Sequence, residues 1–238
     1  ISSVQSQIVA SDGKLSFGPL EFSYGGGYFN VSAGVNLIES PDLLSVSGST
    51  SGWSIGELLK VAGVNLDARG ELRADFDLTG RRKSASAYAN SMYGTVFVSL
   101  YNGAIATSLI ELAGLGIFPW LFSEELNKGY SSIVCAVAPL KIKSGKVSTN
   151  AAVIETKRVQ IVIGGSLDWR NESIALRAEP RPVGRPLSRS AVPITISGSL
   201  RKPDFDLQLL GSPQSARPSG TQMATDRKPC KPDIKQLQ

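Results

Sequence analysis

Apolar and polar residues alternate with a period of two along most of this chain. In Gly70–Gly80, GELRADFDLTG, the residues Glu71, Arg73, Asp75, Asp77 and Thr79 alternate with Leu72, Ala74, Phe76 and Leu78. That is the pattern of a strand with one wet face and one dry face. The same alternation runs through Leu15/Phe17, Phe29/Val31/Ala33/Val35/Leu37, Val96/Val98/Leu100, Val159/Ile161/Ile163 and Ile194/Ile196. In Ser45–Ser51 it is too weak to assign the faces. Asp12-Gly13, Asn102-Gly103 and Ser144-Gly145 are tight-turn signals, because a two-residue hairpin turn needs positive φ at both central residues. Extended segments follow them: KLSFGPLEFSY, AIATSL and KVSTNAAVIET. The pattern predicts about a dozen strands of ordinary length.

Three segments break the alternation and predict short helices. Ser54 and Glu57 spell a capping box ahead of Leu58, Leu59 and Val61, with Gly63 as the stop. Ala85, Tyr88, Ala89 and Met92 keep helical spacing up to Gly94. Ser108 and Glu111 open a second capping box, and Leu109–Phe122 holds one polar residue, Glu111. At 14 residues this run is too short for a hydrocarbon core of about 30 Å, and Pro119 should kink or split it. It reads either as a core helix plugging the end of a sheet or as a helix sealing a lipid cavity, through Leu109, Ile110, Leu112, Ile117, Phe118, Trp120 and Leu121.

Two units resemble each other: Asp12-Gly-Lys-Leu15 onward to Leu37, and Ser144-Gly-Lys-Val147 onward to Leu167-Asp168. Each reads turn, strand, short break, strand. Repeated hairpins argue for a stacked meander instead of a Greek key. Glu179–Ala191, EPRPVGRPLSRSA, reads as an irregular loop, in which Arg181, Arg185 and Arg189, with Arg177 before it, are either solvated or available to phosphate head groups.

Composition refines this picture. The chain has 238 residues, 42% hydrophobic and 19% charged, with 24 glycines, which suits a turn-rich folded protein. Its net charge of +5 is concentrated at one end. Residues 211–238 hold five Lys/Arg against two Asp and four prolines, leaving only +2 for the rest. We therefore expect a folded domain over 1–210 and a disordered or loosely attached basic tail over 211–238. The folded part has no strong basic field and no Arg/aromatic interleaving, so nucleic acid is not an expected partner. No Met and no charged-then-apolar leader opens the chain, so any membrane anchor is expected outside it.

Candidate chemistry is sparse. Histidine is absent, which removes the commonest general base and metal ligand, and no cofactor or metal site is expected. Cys135 and Cys230 lie too far apart for a CxxC motif. Cys135, in SIVCAVAPL, reads as a buried thiol; a disulfide to Cys230 in an oxidising compartment is the alternative. Ser11-Asp-Gly-Lys14 matches an S-x-x-K spelling but sits at a turn without the accompanying motifs. Asp75 and Asp77 flank Arg73 in a surface charge ladder and do not read as an acid/base pair. Asn30-Val-Ser32 and Asn171-Glu-Ser173 are glycosylation spellings, relevant only to a eukaryotic secretory context. We expect no enzyme here.

The ordered series YNGAIATSLIEL, IVCAVAPLKIKSGKVSTNAAVIETKRVQIVIGGSLDWRNESIALRAEPRP and PITISGSLRKPDFDL resembles the C-terminal region of the AsmA-like proteins of Gram-negative bacteria. GKLSFGPLEFSYGGGYFNVSAGVNL and GELRADFDLTG also fit that family's repeats, so the resemblance covers roughly residues 11–210. The matching positions Gly103, Gly145, Gly165, Leu167, Asp168, Gly198 and Pro203 read as turn and strand residues. The resemblance implies a periplasmic protein tethered to the inner membrane, related to bridge-like lipid carriers and moving phospholipid or sustaining outer-membrane assembly.

The expected fold is mainly β: a long, curled antiparallel sheet of repeated hairpins, open as a groove, with about three short helices. Three short helices cannot cover the dry face of so many strands, so that face is left for acyl chains. The expected groove-facing residues are Leu15, Phe17, Phe29, Val31, Val35, Leu72, Phe76, Leu78, Val96, Val98, Val159, Ile161, Ile163, Ile194 and Ile196. The expected partner is a phospholipid or another acyl-chain lipid. The competing expectation is a scaffold for outer-membrane proteins that pairs through its strand edges.

Overall fold

The computed structural model describes residues 6–24, 26–61, 68–106, 130–156, 159–182, 193–200 and 202–207. It is one antiparallel sheet of twelve strands whose spatial order is their order in the chain: β1 (Ile8–Ser11), β2 (Lys14–Tyr24), β3 (Gly27–Asn36), β4 (Ser40–Ser54), β5 (Ala68–Arg81), β6 (Tyr93–Ala106), β7 (Tyr130–Lys143), β8 (Lys146–Thr156), β9 (Val159–Asp168), β10 (Ser173–Pro182), β11 (Ile194–Ser199) and β12 (Lys202–Leu207). β1 and β12 do not pair, so the sheet is not closed into a barrel. Twelve strands at about 4.8 Å spacing make a ribbon about 50 Å long across the strands.

The hairpin chemistry predicted at two dipeptides holds. Asp12 and Gly13 (φ +49° and +72°) turn β1 into β2, and Ser144 and Gly145 (φ +47° and +84°) turn β7 into β8. Both residues of each pair take positive φ, as a type I′ turn requires. Asn102-Gly103 is different. Asn102 has φ +49°, but the strand continues through it, and pairing with β5 passes from Arg69–Ala104 to Glu71–Tyr101, so that Asn102 and Gly103 stand opposite Gly70 alone. The dipeptide is therefore an irregularity within β6, where the polypeptide lacks a tight return and takes the extra residues as a bulge.

Two helices lie among the described residues. α1 (Ile55–Val61) follows Ser54 directly, and α2 (Ala85–Ser91) is capped by the Ser84 hydroxyl, which accepts from Ala87 N at 3.1 Å. Tyr88 of α2 donates its hydroxyl proton to Leu78 O at 3.0 Å and lies over Gly80, fixing α2 on β5. The third expected helix, Leu109–Phe122, and the 211–238 tail lie outside the described residues.

Glu179–Pro182, expected to open an irregular loop, instead completes β10. These residues pair with β9 as far as Pro182–Val159, whereas pairing with β11 stops at Ala178–Ile194. Among the described residues, prolines 180 and 182 are paired on one side only, with β9, where a missing N–H is tolerated.

Close backbone approach explains one glycine in the middle of the sheet. A Cβ on Gly94 would sit 2.0 Å from Asp77 O, and φ is +143°. Any larger residue there would push β5 and β6 apart.

Candidate functional site: an apolar face spanning every strand

In an antiparallel sheet directly paired residues point to the same side, so register assigns the faces. One row crosses the whole sheet: Ile8, Phe17, Ala33, Val46, Leu78, Gly94, Ile142, Val147, Leu167, Ile174, Gly198 and Pro203. It contains no polar side chain. The adjacent row, one residue along each strand and therefore on the other face, is Val9, Ser16, Gly34, Ser45, Thr79, Tyr93, Lys143, Lys146, Asp168, Ser173, Ser199 and Lys202. The opening stretch lies within this scheme: Leu72, Ala74, Phe76 and Leu78 pair with Leu100, Val98, Val96 and Gly94. The weak alternation of Ser45–Ser51 is also resolved, with Val46, Gly48 and Thr50 on the apolar side and Ser45, Ser47 and Ser49 on the other.

Shorter rows complete the apolar face. Leu20, Val31, Gly48, Phe76, Val96 and Leu140 run in register from β2 to β7. Leu72, Leu100, Ala136, Ile154 and Ile161 run from β5 to β9. Ala152, Ile163, Ala178 and Ile194 run from β8 to β11. At the β2–β3 end Phe22 stacks on Phe29 with centroids 4.7 Å apart, and Trp53 meets Phe29 edge-on at 5.3 Å. The Trp53 indole lies against Gly27, where a Cβ would collide with it.

By register, the expected groove residues other than Val159 lie on this face: Leu15 and Val35 pair with each other, Phe29 pairs with Phe22, and Ile196 pairs with Leu176. Val159 belongs to the same alternation by its backbone pairing with Pro182. Leu37 does not; it lies past the end of β3 in a turn. Arg181 pairs through its backbone with Gln160, and Arg185 and Arg189 lie outside the described residues, as do the seven candidate capping residues Leu109, Ile110, Leu112, Ile117, Phe118, Trp120 and Leu121.

The apolar face is a single layer, and most of it is only partly buried. Phe17 remains 39% exposed and Ile8 68%, while Leu15, Leu72, Phe76, Leu78, Val96, Val98, Leu140 and Leu167 are all intermediate. Closure is greater toward the β6–β11 side, where Leu100, Ile142, Ala178 and Ile194 are buried. A cavity of about 670 Å³ opens along the row Gly48, Phe76, Val96 and Leu140, with Thr149 and the chain neighbours of these residues at its walls. That volume is in the range of sites that hold a small molecule or part of a lipid. The Thr149 hydroxyl is buried without a hydrogen-bond partner among the described residues.

The opposite face is not uniformly wet. Cys135, Val137, Val153 and Val162 form a buried cluster against Phe97 and Ala151, in odd register with the apolar rows. Gln160 donates to Glu155 at 2.8 Å beside it. Cys135 is disulfide-bonded, which corrects the free-thiol reading. The chain's one other cysteine is Cys230. Apolar residues on both sides of β7 are why its alternation is invisible in SIVCAVAPL, and why Ala136, Ala138 and Leu140 escape a periodicity search.

Among the described residues no group of three or more His, Cys, Asp or Glu is placed to hold a metal ion. Among the same residues no helix is long and apolar enough to cross a membrane. The positions Gly145, Gly165, Leu167, Asp168, Gly198 and Pro203 are turn and strand residues. Asp168 holds the β9–β10 turn by accepting from Arg170 N at 3.0 Å and Asn171 N at 3.3 Å. Partial burial raises its pKa, but these hydrogen bonds and the Arg170 charge outweigh that and hold it below the usual value.

Comparison with known proteins gives one family. A family model described as the AsmA family matches residues 1–152. A curated relative from Escherichia coli (strain K12), the AsmA family protein YhjG, is 21% identical over 207 residues, covering 85% of this chain and 30% of that protein. The chain thus spans less than a third of the relative's length. No solved structure matches it.

Proposed function

The chain belongs to the AsmA family, and from that premise we propose that it is a non-enzymatic lipid-carrying module. Membership is consistent with a role in outer-membrane or lipid-related biogenesis. In our reading the module sits in the periplasm, is anchored to the inner membrane through a segment outside this chain, and carries phospholipid toward the outer membrane along its apolar face. The observation that carries the proposal is the unbroken apolar row from Ile8 to Pro203, because a track used for passage needs continuity more than depth.

The energetics suit transfer. Each methylene moved from water onto apolar surface gains about 0.8 kcal/mol. A two-chain lipid therefore prefers the face to water strongly, while the face and a bilayer interior are nearly equivalent, so loading and release need no covalent step. The polar row on the other side keeps the ribbon wettable. The Cys135 disulfide supports an oxidising compartment.

The test is extraction and mass spectrometry of lipid from the purified chain under gentle conditions. We expect phospholipid in near-stoichiometric amount; a folded chain devoid of lipid after expression in a phospholipid-rich host would contradict the proposal.

One observation favours a second reading, strand-edge capture of outer-membrane proteins. The open edge at β1, Ile8–Ser11, carries no charge, whereas β12 carries Lys202, Pro203, Asp204 and Asp206, the residues that guard an edge. Binding of unfolded β-barrel segments by a lipid-free chain would support that reading over ours.

A further inference from the structure

In a simple meander the returns between odd and even strands all fall on one rim. Here that rim carries the turns β1–β2, β3–β4, β7–β8, β9–β10 and β11–β12 and the α2 connection between β5 and β6. Its middle section is basic: Arg81, Arg82, Lys83, Lys143, Lys146 and Arg170 are all exposed. Arg170 faces Asp168 at 3.8 Å, and Arg82 Nε donates to Pro41 O. Among the described residues Lys83, Lys143 and Lys146 have no carboxylate within ion-pair distance. The β3–β4 turn beside them exposes two aliphatic side chains, Leu37 at 50% and Ile38, over Gly13, at 74%, on a loop held by Asn36 that also carries Glu39, with Asp42 just after it in β4. Arg82 ties that neighbourhood together, since its backbone N–H donates to Asp42 O. Tyr93, 48% exposed, pairs with Lys143 on the same rim. On the opposite rim, the described exposed charged positions of α1 are Glu57 and Lys60, one of each sign.

We propose that this turn rim docks on the surface of a bilayer containing anionic phospholipid. Aliphatic tips that enter the headgroup layer, flanked by lysine and arginine with an aromatic residue between, are the chemistry of interfacial binding. A protein partner would be expected to meet a larger contiguous apolar patch than two turn residues. Docking along this rim lays the ribbon's long axis parallel to the membrane, so that lipid reaches the apolar face from the side. The proposal stands on the rim alone and does not require the face to carry lipid.

The test is co-sedimentation of the full chain with vesicles of phosphatidylcholine mixed with phosphatidylglycerol, against phosphatidylcholine alone. We expect binding only to the anionic vesicles, weakened by salt. Lys83→Glu/Lys143→Glu/Lys146→Glu should weaken it by about tenfold or more, and Leu37→Ser/Ile38→Ser should weaken it severalfold. Lys60→Glu, on the other rim, should leave it unchanged. Circular dichroism spectra and thermal melts matching the wild type establish that each variant is folded. Equal binding to neutral vesicles, no loss in either rim variant, or an equal loss in Lys60→Glu would each overturn the proposal.

Discussion

Replacing Phe76 by Asp is expected to strip bound phospholipid from the chain while the sheet stays folded. Phe76 sits in the middle of the row Gly48, Phe76, Val96 and Leu140, at the cavity, and is only partly buried by protein. A carboxylate there leaves its own hydration intact in the empty chain, so folding suffers little. An acyl chain laid over it would desolvate the charge, at several kcal/mol. Each 1.4 kcal/mol is tenfold in occupancy, so loading should fall by at least tenfold. Phe76→Trp offers a second route: the side chain stays apolar but narrows the cavity, and loading should fall less. Arg73→Ala, exposed on the other face and away from the cavity, should leave loading unchanged. The same charge at Ile161 is a poorer probe, because Ile161 packs on the buried pair Ala178 and Ile194 and its loss would test the core.

The second large effect concerns stability. Cys135 is 4% exposed, bonded in a disulfide, and set among Val137, Val153 and Val162. A cross-link that closes a long loop removes entropy from the unfolded chain, typically worth about 3 kcal/mol. For a domain of this size that corresponds to a melting temperature roughly 6–12 °C lower after reduction. Thermal melts followed by circular dichroism with and without dithiothreitol measure it, and Cys230→Ser should show the low value in both. Identical melts of the wild-type chain would show that the cross-link contributes nothing.

Much of the architecture is legible because the strands obey two simple rules. Where one face is wet, as in Gly70–Gly80, a period of two reveals the dry side. Where Asp-Gly or Ser-Gly separates extended runs, the turn fixes register, and β2 and β8 then run over the segments read as KLSFGPLEFSY and KVSTNAAVIET. The first short helix begins directly after Ser54, where the capping-box spelling stands, and the second covers Ala85, Tyr88 and Ala89 of the helical spacing. The failures have equally local causes. Asn102-Gly103 has the composition of a turn, but β6 runs on through it, and the same backbone freedom serves a bulge against β5. Pro180 and Pro182 argue against a strand by composition, yet they pair in register with Ile161 and Val159 of β9, and among the described residues they are paired on that side alone. β7 hides its periodicity because a second apolar cluster backs it, so Ala136, Ala138 and Leu140 of the candidate face cannot be separated from Val137 of the buried cluster by pattern alone.

The face assignment itself admits a direct measurement: site-specific photo-crosslinking to lipid at neighbouring positions on one strand. A benzophenone side chain placed at Val46, Leu72 or Leu167 should capture phospholipid, and one placed at Ser47, Arg73 or Asp168 should not. Capture from both sets at equal yield, or from neither in a folded chain supplied with lipid, would contradict a lipid track confined to the apolar side of this sheet.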